Sequence, residues 1–281
     1  MAPDELTGAH PLLASRYVSS MPRVTRSPSR RPKDRGELGY ATLSTKPLHV
    51  LAFLLPLMIA YEVGAIVYLT STGSIEAIGA QRLVYKIFAS LGGVQWHAPT
   101  FLLAAVLLVW HLLLKDPWKV RPSVLVGMAL ESFLWTLPVL VFGLLARAAI
   151  TMEPAALADV VPNVRAHPWQ ARATLSIGAG LYEELLFRLI LVTIFHIALV
   201  DLLKFKPRLG SVIAAIAAGV LFALYHPLPA EARSRVVMFS FYAIMGAYFG
   251  ALFLIRGFGI VVAAHALYDV FALVVLKGAE E

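Results

Sequence analysis

The chain contains no cysteine and few charged residues, and both shortages narrow what it can be. Without cysteine there are no disulfides, no thiolate metal ligands and no cysteine nucleophile. Charged residues make up 15% of the sequence, whereas soluble domains carry roughly 25%. Hydrophobic residues make up 59% of it, and the mean hydropathy is +0.76. These values predict an integral membrane protein whose fold class is all-α, a bundle of transmembrane helices.

Positive charge is concentrated at the N-terminus. Residues 1–47 hold eight basic residues against four acidic ones, are rich in Pro, Ser and Arg, and contain no apolar run. This composition predicts a disordered basic tail, which the positive-inside rule places in the cytoplasm. A nucleic-acid-binding arm is the weaker alternative, so no nucleic-acid partner is expected. No signal peptide opens the chain, since the first apolar run, near Leu48, is too long for one.

Seven apolar stretches are candidates for crossing a bilayer, which takes about 20 residues of helix. They cover residues 48–70, 98–114, 122–149, 172–203, 209–226, 235–255 and 257–276. Residues 74–96 are amphipathic at helical spacing, so they are predicted to lie at the membrane interface. We therefore expect N-terminal transmembrane helices over 48–150, and a membrane-embedded core with a buried polar cavity over 172–276.

The charge of the loops predicts the orientation of the chain. Loops 115–121 and 203–208 are basic and would face the cytoplasm together with the tail. This favours an orientation with the N-terminus in the cytoplasm and the C-terminus outside. We expect the membrane to be a bacterial-type plasma membrane, whose lipid bilayer surrounds the helices. No internal repeat is visible, which counts against a common transporter architecture. Gly246 and Gly250 have a small-xxx-small spacing that permits close helix contact.

Ionisable side chains lie inside these apolar stretches, where a charge costs about 2.5–3.5 kcal/mol and usually marks a functional site. Six of them belong to the three motif-bearing helices of the core: Glu183, Glu184, Arg188, His226, His265 and Asp269. Glu62 and Glu131, in earlier helices, face the same cost. We expect those two to make polar contacts between helices, with a place at the cavity entrance as the alternative.

The adjacent pair Glu183 and Glu184 cannot serve one purpose, because neighbours on a helix point about 100° apart. Glu184 and Arg188 are four residues apart, the spacing that brings an acid and a base together on one face. They are predicted to form a neutralising, structural pair, which leaves Glu183 to project into the pocket. The alternative is a buried ion pair with a second acid in a wet crevice.

Two histidines and an aspartate complete the set. His226 ends its helix just before Pro227, and Phe222, one turn earlier, can pack over its ring and fix it. His265 and Asp269 share one face of the last helix, where the Asp can set the tautomer of the His. The alternative for His226 is a helix cap or an interface residue, and the alternative for His265 and Asp269 is a structural hydrogen bond that satisfies both groups.

Hydrolysis by activated water suits a Glu, two His and an Asp without a thiol. A carboxylate in an apolar cavity is a better general base than one in water. One His can hold the water, and the other can donate a hydrogen bond to the oxyanion that develops on the attacked carbonyl. Neither a G-x-S-x-G elbow nor H-E-x-x-H occurs.

In their order and spacing these motifs resemble the CPBP (ABI) family, the intramembrane CAAX proteases and bacteriocin-processing enzymes. The matching segments are E-E-x-x-x-R at Glu183–Arg188, F-x-x-x-H at Phe222–His226 and H-x-x-x-[N/D] at His265–Asp269. The resemblance covers roughly residues 172–276 and implies a helical membrane core with a conical cavity. It also implies cleavage of a membrane-tethered or C-terminally processed peptide or protein, CAAX-like in the eukaryotic members.

Carried over residue by residue, the resemblance makes Glu183 the activator of water and His226 its assistant, with His265 and Asp269 stabilising the oxyanion. The prenyl-protein branch typically has Asn where this chain has Asp269. An ionised Asp cannot donate a hydrogen bond, so Asp269 must be protonated or serve to orient His265.

The same residues allow two alternatives. Glu183, His226 and His265 would make a His2Glu set that accepts zinc with water in the fourth place, and Glu184 would then be the base. We favour the metal-free mechanism, because Arg188 is expected to hold Glu184. The alternatives to a protease are a non-catalytic membrane scaffold or chaperone, and a proton-coupled carrier that uses the Glu and His side chains.

Overall fold

The computed structural model describes residues 39–69, 98–150 and 167–276, together with positions 83 and 86. Within these ranges the chain is helical and contains no strand. Its first half consists of α1 (Tyr40–Leu43), α2 (Pro47–Gly64, continued as a π-helical turn over Ala65–Leu69), α3 (Ala98–Leu114) and α4 (Pro122–Ile150). The all-α fold class predicted from composition is confirmed.

The second half carries the motifs. Helix α5 begins as an α-helix over Trp169–Glu184 and continues through Leu185–Val192 (π), Thr193–His196 (α) and Ile197–Leu202 (π). It is followed by α6 (Pro207–Tyr225), α7 (Ala232–Arg256) and α8 (Phe258–Val270, with a π-helical extension over Phe271–Val275). The widened turns of α5 begin directly after the two adjacent glutamates, and such π-segments are frequent at functional sites.

Among the residues that the structure describes, six helices are long and apolar enough to cross a membrane: Pro47–Leu69, Pro122–Ala146, Trp169–Leu202, Pro207–Tyr225, Ala232–Arg256 and Phe258–Val275. The apolar helix Thr100–Leu114 is shorter. Leu113, Leu145 and Ile255 are more than three-fifths exposed on the bundle surface, as expected where the solvent is lipid rather than water. The chain is therefore an integral membrane protein.

The N-terminal prediction needs a correction at its boundary. Residues 39–47 were expected to belong to the disordered tail, yet Tyr40–Leu43 forms a helical turn whose Leu43 is buried. Sequence patterns missed it because four residues are too few to show a period. The rest of the predicted tail, residues 1–38, lies outside the described residues, and so does nearly all of the predicted interfacial helix 74–96.

Small residues let the core helices approach closely. A Cβ on Gly246 of α7 would come within 2.6 Å of the carbonyl oxygen of Gly219 in α6. On α5, a Cβ at Gly180 would lie 2.8 Å from the backbone nitrogen of Ala266 in α8. The close contact that the Gly246 spacing permits is thus present, and the second contact brings α5 and α8 together beside the motif residues.

Polar side chains tie several helix ends together at one face of the bundle. Glu131 of α4 accepts hydrogen bonds from Tyr40 (2.5 Å), from Trp135 (3.1 Å) and from Arg256 at the end of α7. Lys46, just before α2, forms an ion pair of 3.0 Å with Asp116, just after α3. This side, which we call the polar end, therefore joins the start of α2 and the first half of α4 to the ends of α3 and α7.

Candidate active site

A cavity of about 70 Å³ lies between four helices of the second half. Four ionisable residues line it, one on α5, one directly after α6 and two on α8. They are Glu183, His226, His265 and Asp269. The rest of the lining is aromatic or apolar and comes from α6, α7 and α8: Phe222, Phe241, Tyr242, Met245, Phe249 and Tyr268. Three separate motifs of the sequence thus meet at one small space.

Glu183 stands at the centre of the ionisable groups. Its Oε2 atom lies 3.6 Å from Nε2 of His226 and 3.8 Å from Nε2 of His265. Both distances exceed that of a direct hydrogen bond. The carboxylate therefore faces two imidazole nitrogens across space that a water molecule or a reacting group can share.

His226 is held by its backbone and by ring contacts. It is the first residue after α6 and has an extended backbone conformation. Its Nδ1 lies 2.8 Å from the carbonyl oxygen of Phe222, so Nδ1 carries the hydrogen and Nε2 is left to face Glu183. The imidazole packs between Phe222, at 4.4 Å between centroids, and Tyr242, which stacks on it at 4.1 Å and 22°.

The loop after His226 is anchored by its own hydrogen bonds. Glu231 caps α7 by accepting hydrogen bonds from the backbone N–H groups of Ser234 (2.5 Å) and Arg233 (2.8 Å). The hydrogen bond from Ser234, and to a lesser extent that from Arg233, holds the pKa of Glu231 below its usual value. Arg235 donates back to the carbonyl oxygens of Pro229 (3.1 Å) and Ala230. His226 therefore precedes a braced loop.

His265 makes its shortest polar contact with Glu184. Its Nδ1 lies 2.6 Å from Glu184 Oε1, and the same oxygen is 3.0 Å from Nη1 of Arg188. The ion pair of Glu184 and Arg188 expected from their spacing is therefore formed. Glu184 is more than a structural counterion, however, because it also fixes the orientation of His265.

Arg188 is buried and held on several sides. Its Nη2 donates to the carbonyl oxygen of Gly246, 3.3 Å away. Its guanidinium lies over the rings of Phe222 and Phe249, at 4.6 and 5.6 Å from their centroids. Phe249 in turn stacks on His265 at 4.8 Å and 13°. A buried cation, two aromatic rings and an imidazole thus form one packed unit behind the cavity.

Asp269 lies beside Nε2 of His265 and not beside Nδ1, where a residue that sets the tautomer from behind would lie. Its Oδ2 lies 3.5 Å from Nε2, the nitrogen that also faces Glu183. Nδ1, on the other side of the ring, is bound to Glu184. Asp269 therefore adds negative charge at the cavity side of the imidazole, while Glu184 sets its orientation from behind.

The ligands proposed for zinc do not meet the requirements of a metal site in this geometry. Among the described residues, no group of three or more His, Asp and Glu could hold a metal ion. Glu184, which would have to be the base of the zinc mechanism, is fully buried, and its Oε1 atom is engaged by His265 and Arg188. We therefore derive no catalytic step through a metal.

Sequence reasoning missed the contribution of α7. Phe241, Tyr242, Met245 and Phe249 all line the cavity, although none belongs to the motifs. Their spacing of three to four residues is that of one helix face, which is the signal that could have identified them. Nothing in the spacing shows that this face turns toward His226, because that depends on how α7 packs against α6.

Comparison with known proteins gives one family. Residues 165–271 match the model of the type II CAAX prenyl endopeptidase Rce1-like family. No curated protein and no solved structure matches the chain. The matched segment contains all six ionisable motif residues, from Glu183 to Asp269. The family relationship that the motifs predict is confirmed over this segment, and the family supports peptidase activity in general.

Proposed function

Because residues 165–271 belong to a family of CAAX endopeptidases, we propose that the chain is an intramembrane endopeptidase that uses water activated by Glu183. One observation carries the proposal. Glu183 Oε2 faces the Nε2 atoms of both histidines, at 3.6 and 3.8 Å, inside a cavity walled by apolar residues. Hydrolysis requires a general base, a second group that accepts a hydrogen bond from the water, and a donor of a hydrogen bond to the developing oxyanion.

Glu183 and His226 activate the water. With its hydrogen on Nδ1, neutral His226 presents the lone pair of Nε2 to the cavity. A water between the two side chains donates one hydrogen to this nitrogen and the other to the Glu183 carboxylate. Glu183 takes the second hydrogen as a proton while the water oxygen attacks the carbonyl carbon of the substrate.

His265 stabilises the charge that the attack creates. The electron pair of the carbonyl bond moves to its oxygen, and His265, protonated on both nitrogens, donates a hydrogen bond to that oxyanion from Nε2. Glu184 holds the ring through Nδ1. Asp269, beside Nε2, stabilises the positive charge of the imidazolium and is not itself the donor.

Peptide cleavage completes the proton balance. As the carbonyl re-forms, the C–N bond breaks and the proton held by Glu183 passes to the leaving nitrogen. The products are a carboxyl group, which contains the water oxygen, and an amine. Glu183 returns to its carboxylate form, so the chain ends the cycle unchanged.

The substrate we propose is a membrane-tethered peptide or protein, of which a CAAX-like C-terminus is one form. Charged groups of a soluble substrate would be costly to bring into an apolar bundle. A substrate anchored in the bilayer is instead concentrated near the cavity, whose remaining walls are aromatic and apolar.

The test replaces the two water-activating side chains in cells. Membrane proteins from cells with wild-type protein, Glu183→Ala or His226→Ala are compared by the masses of their termini. Both variants should accumulate a longer form of the substrate, whereas Val236→Ala, on the exposed surface of α7, should process it normally. If both variants process every terminus like wild type, the protease assignment fails. Loss of proton-dependent uptake in vesicles of the same variants would favour the carrier.

A further inference from the structure

The connection between α5 and α6 lies at the polar end of the bundle. Gly219 of α6 packs against Gly246 of α7, and Ala215 packs against Gly250. Extended by two turns, this antiparallel register sets the beginning of α6 level with the end of α7, which belongs to the polar end. Residues 203–208, which we call the basic turn, comprise the loop after α5 and the first two residues of α6, and they therefore lie at the same end.

Every second residue of the basic turn is cationic. Lys204, Lys206 and Arg208 are all exposed. Their side chains form no hydrogen bond or ion pair with the part of the chain that the structure describes. Asp201, on the last turn of α5, is exposed as well and pairs with none of the three. Three cations within five residues thus lack a counterion among the described residues.

The connection at the opposite end of α6 uses its polar groups internally. Glu231 accepts hydrogen bonds from the backbone at the start of α7, and Arg235 donates to the carbonyl oxygens of Pro229 and Ala230. The basic turn has no such task for its cations within the described residues, so they are available to a ligand outside the chain.

Apolar side chains alternate with the cations of the basic turn. Leu203 and Phe205 are both exposed. Because α5 and α6 are long and apolar enough to cross the membrane, the turn between them lies where the hydrocarbon region gives way to the head groups. At that depth apolar and aromatic side chains enter the acyl region, while the long stems of Lys and Arg carry their charges to the phosphates. The alternation therefore fits a lipid surface.

The backbone of Lys204 is a further sign that the charge at this position has a use. Its φ is 59°, which lets the N–H group of Phe205 reach the carbonyl oxygen of Leu199 at 2.9 Å and close the helix. Glycine usually takes this place, because a side chain strains a left-handed backbone. Among the described residues only Lys204 and Lys115, which follows α3, have a positive φ without being glycine. Both are lysines at the polar end.

We propose that the basic turn is a binding site for the phosphate groups of anionic phospholipids, which Lys204, Lys206 and Arg208 hold together. The site prefers lipids with a net negative charge, because a zwitterionic head group carries its own cation and competes with the protein for the phosphate. Helix α5 carries Glu183, and α6 leads directly into His226. Bound lipid therefore fixes the hairpin that holds both of these residues, whatever reaction they perform.

The test measures lipid binding to purified full-length protein in detergent. Phosphatidylglycerol or phosphatidylcholine is titrated onto the protein, and the apparent Kd of each lipid is measured by native mass spectrometry. Wild type should bind phosphatidylglycerol more tightly, and this preference should weaken as salt is added. The variant Lys204→Gln with Lys206→Gln should lose about 5-fold in affinity for phosphatidylglycerol per charge removed, the contribution of one basic residue near an anionic membrane. Its affinity for phosphatidylcholine should change little.

Two further variants separate a binding site from general attraction and from misfolding. Lys115→Gln with Lys119→Gln removes the same charge from the other basic loop of the polar end, and it should weaken phosphatidylglycerol binding by less than the first pair does. Lys204→Gly relieves the strained backbone, so without lipid it should raise the thermal midpoint. It should nevertheless lower the affinity for phosphatidylglycerol, which a misfolded or merely loosened protein would not combine with higher stability.

Three results would overturn the proposal. Wild type could bind both lipids equally, or the two pairs of Gln substitutions could weaken phosphatidylglycerol binding equally, which would show attraction to the whole polar end. A soluble poly-glutamate peptide that displaces phosphatidylglycerol through Lys204 and Lys206 would identify an acidic protein as the occupant instead. None of these measurements involves peptide cleavage, so the lipid site and the proposed endopeptidase stand or fall separately.

Discussion

Glu184 Oε1 is shared between Nδ1 of His265, at 2.6 Å, and Nη1 of Arg188, at 3.0 Å. One buried carboxylate therefore neutralises a cation on its own helix and orients an imidazole on another. The first task is structural and the second bears on the proposed chemistry, so the two can be separated by substitution.

Replacing Glu184 with Gln should lower both stability and activity. Arg188 then loses its buried counterion, a type of loss that costs about 3–5 kcal/mol. In the double variant Glu184→Gln with Arg188→Met, the unpaired charge is gone and thermal stability should return. Peptide cleavage should stay about 100-fold below wild type, the scale of a lost oxyanion donor, because a neutral amide at this position no longer supplies the negative charge that stabilises protonated His265. Recovery of wild-type kcat in the double variant would show that Glu184 is structural only.

Tyr242 should act on His226 through its ring and not through its hydroxyl. Tyr242→Phe preserves the stack seen at 4.1 Å and should keep kcat within a few-fold of wild type. Tyr242→Ala frees the imidazole and should lower kcat by about 10- to 100-fold with a smaller effect on KM. Tyr248→Ala serves as the control, because Tyr248 is on the same helix but its hydroxyl donates a hydrogen bond of 2.7 Å to the carbonyl oxygen of Trp135. Equal loss of kcat in the Phe and Ala variants would contradict the positioning role.

The polar end should weaken at high pH through Tyr40. Burial, followed by the hydrogen bond to Glu131, raises the pKa of the Tyr40 phenol from 10.0 to about 12. The folded protein thus holds this proton more tightly than the unfolded chain. The stabilisation is fully present below pH 10 and is lost as the pH rises toward 12.

Tyr40→Phe provides the comparison. At neutral pH it should lower the unfolding free energy by about 1 kcal/mol, since the bond lost is to a charged acceptor but is partly exposed. Between pH 10 and 12 the thermal midpoints of wild type and variant should converge. A difference that stays constant over this range would show that the phenol proton does not contribute.

Sidedness can be measured directly because the chain has no native cysteine. Lys119 is exposed beside the polar end, and Arg233 is exposed next to the loop that follows His226. A membrane-impermeant maleimide should label Lys119→Cys and Arg233→Cys from opposite sides of the membrane. With the proposed cytoplasmic N-terminus, Arg233→Cys should react in intact cells and Lys119→Cys only after lysis. Labelling of both from one side would contradict the arrangement of helix ends, and a reversed order would contradict only the orientation.

The sequence alone predicts the membrane spans and the identity of the cavity's ionisable residues well, because both depend on local signals. An apolar run and an acid within it are visible without knowing what packs nearby. The ion pair of Glu184 with Arg188 is also a matter of spacing along one helix.

Contacts between helices could not be predicted in the same way. The bond between Glu184 and His265 depends on how closely α5 approaches α8, which the contact of Gly180 with Ala266 allows. Spacing along one helix therefore predicted that Asp269, which lies on the same helix as His265, orients the imidazole ring. Tyr242 was missed for the same reason, since its partner His226 belongs to another element.

In the mechanism we propose, Glu183 activates the water that cleaves the peptide bond. The most direct measurement is the rate of product formation by purified wild-type and Glu183→Gln protein in liposomes, with a cleavable membrane-tethered peptide and heavy-oxygen water. Wild type should place one heavy oxygen in the new carboxyl group, and Glu183→Gln should be slower by about 100-fold or more, the scale of a lost general base. Glu183→Gln protein that folds, binds the peptide and cleaves it at the wild-type rate would contradict the account.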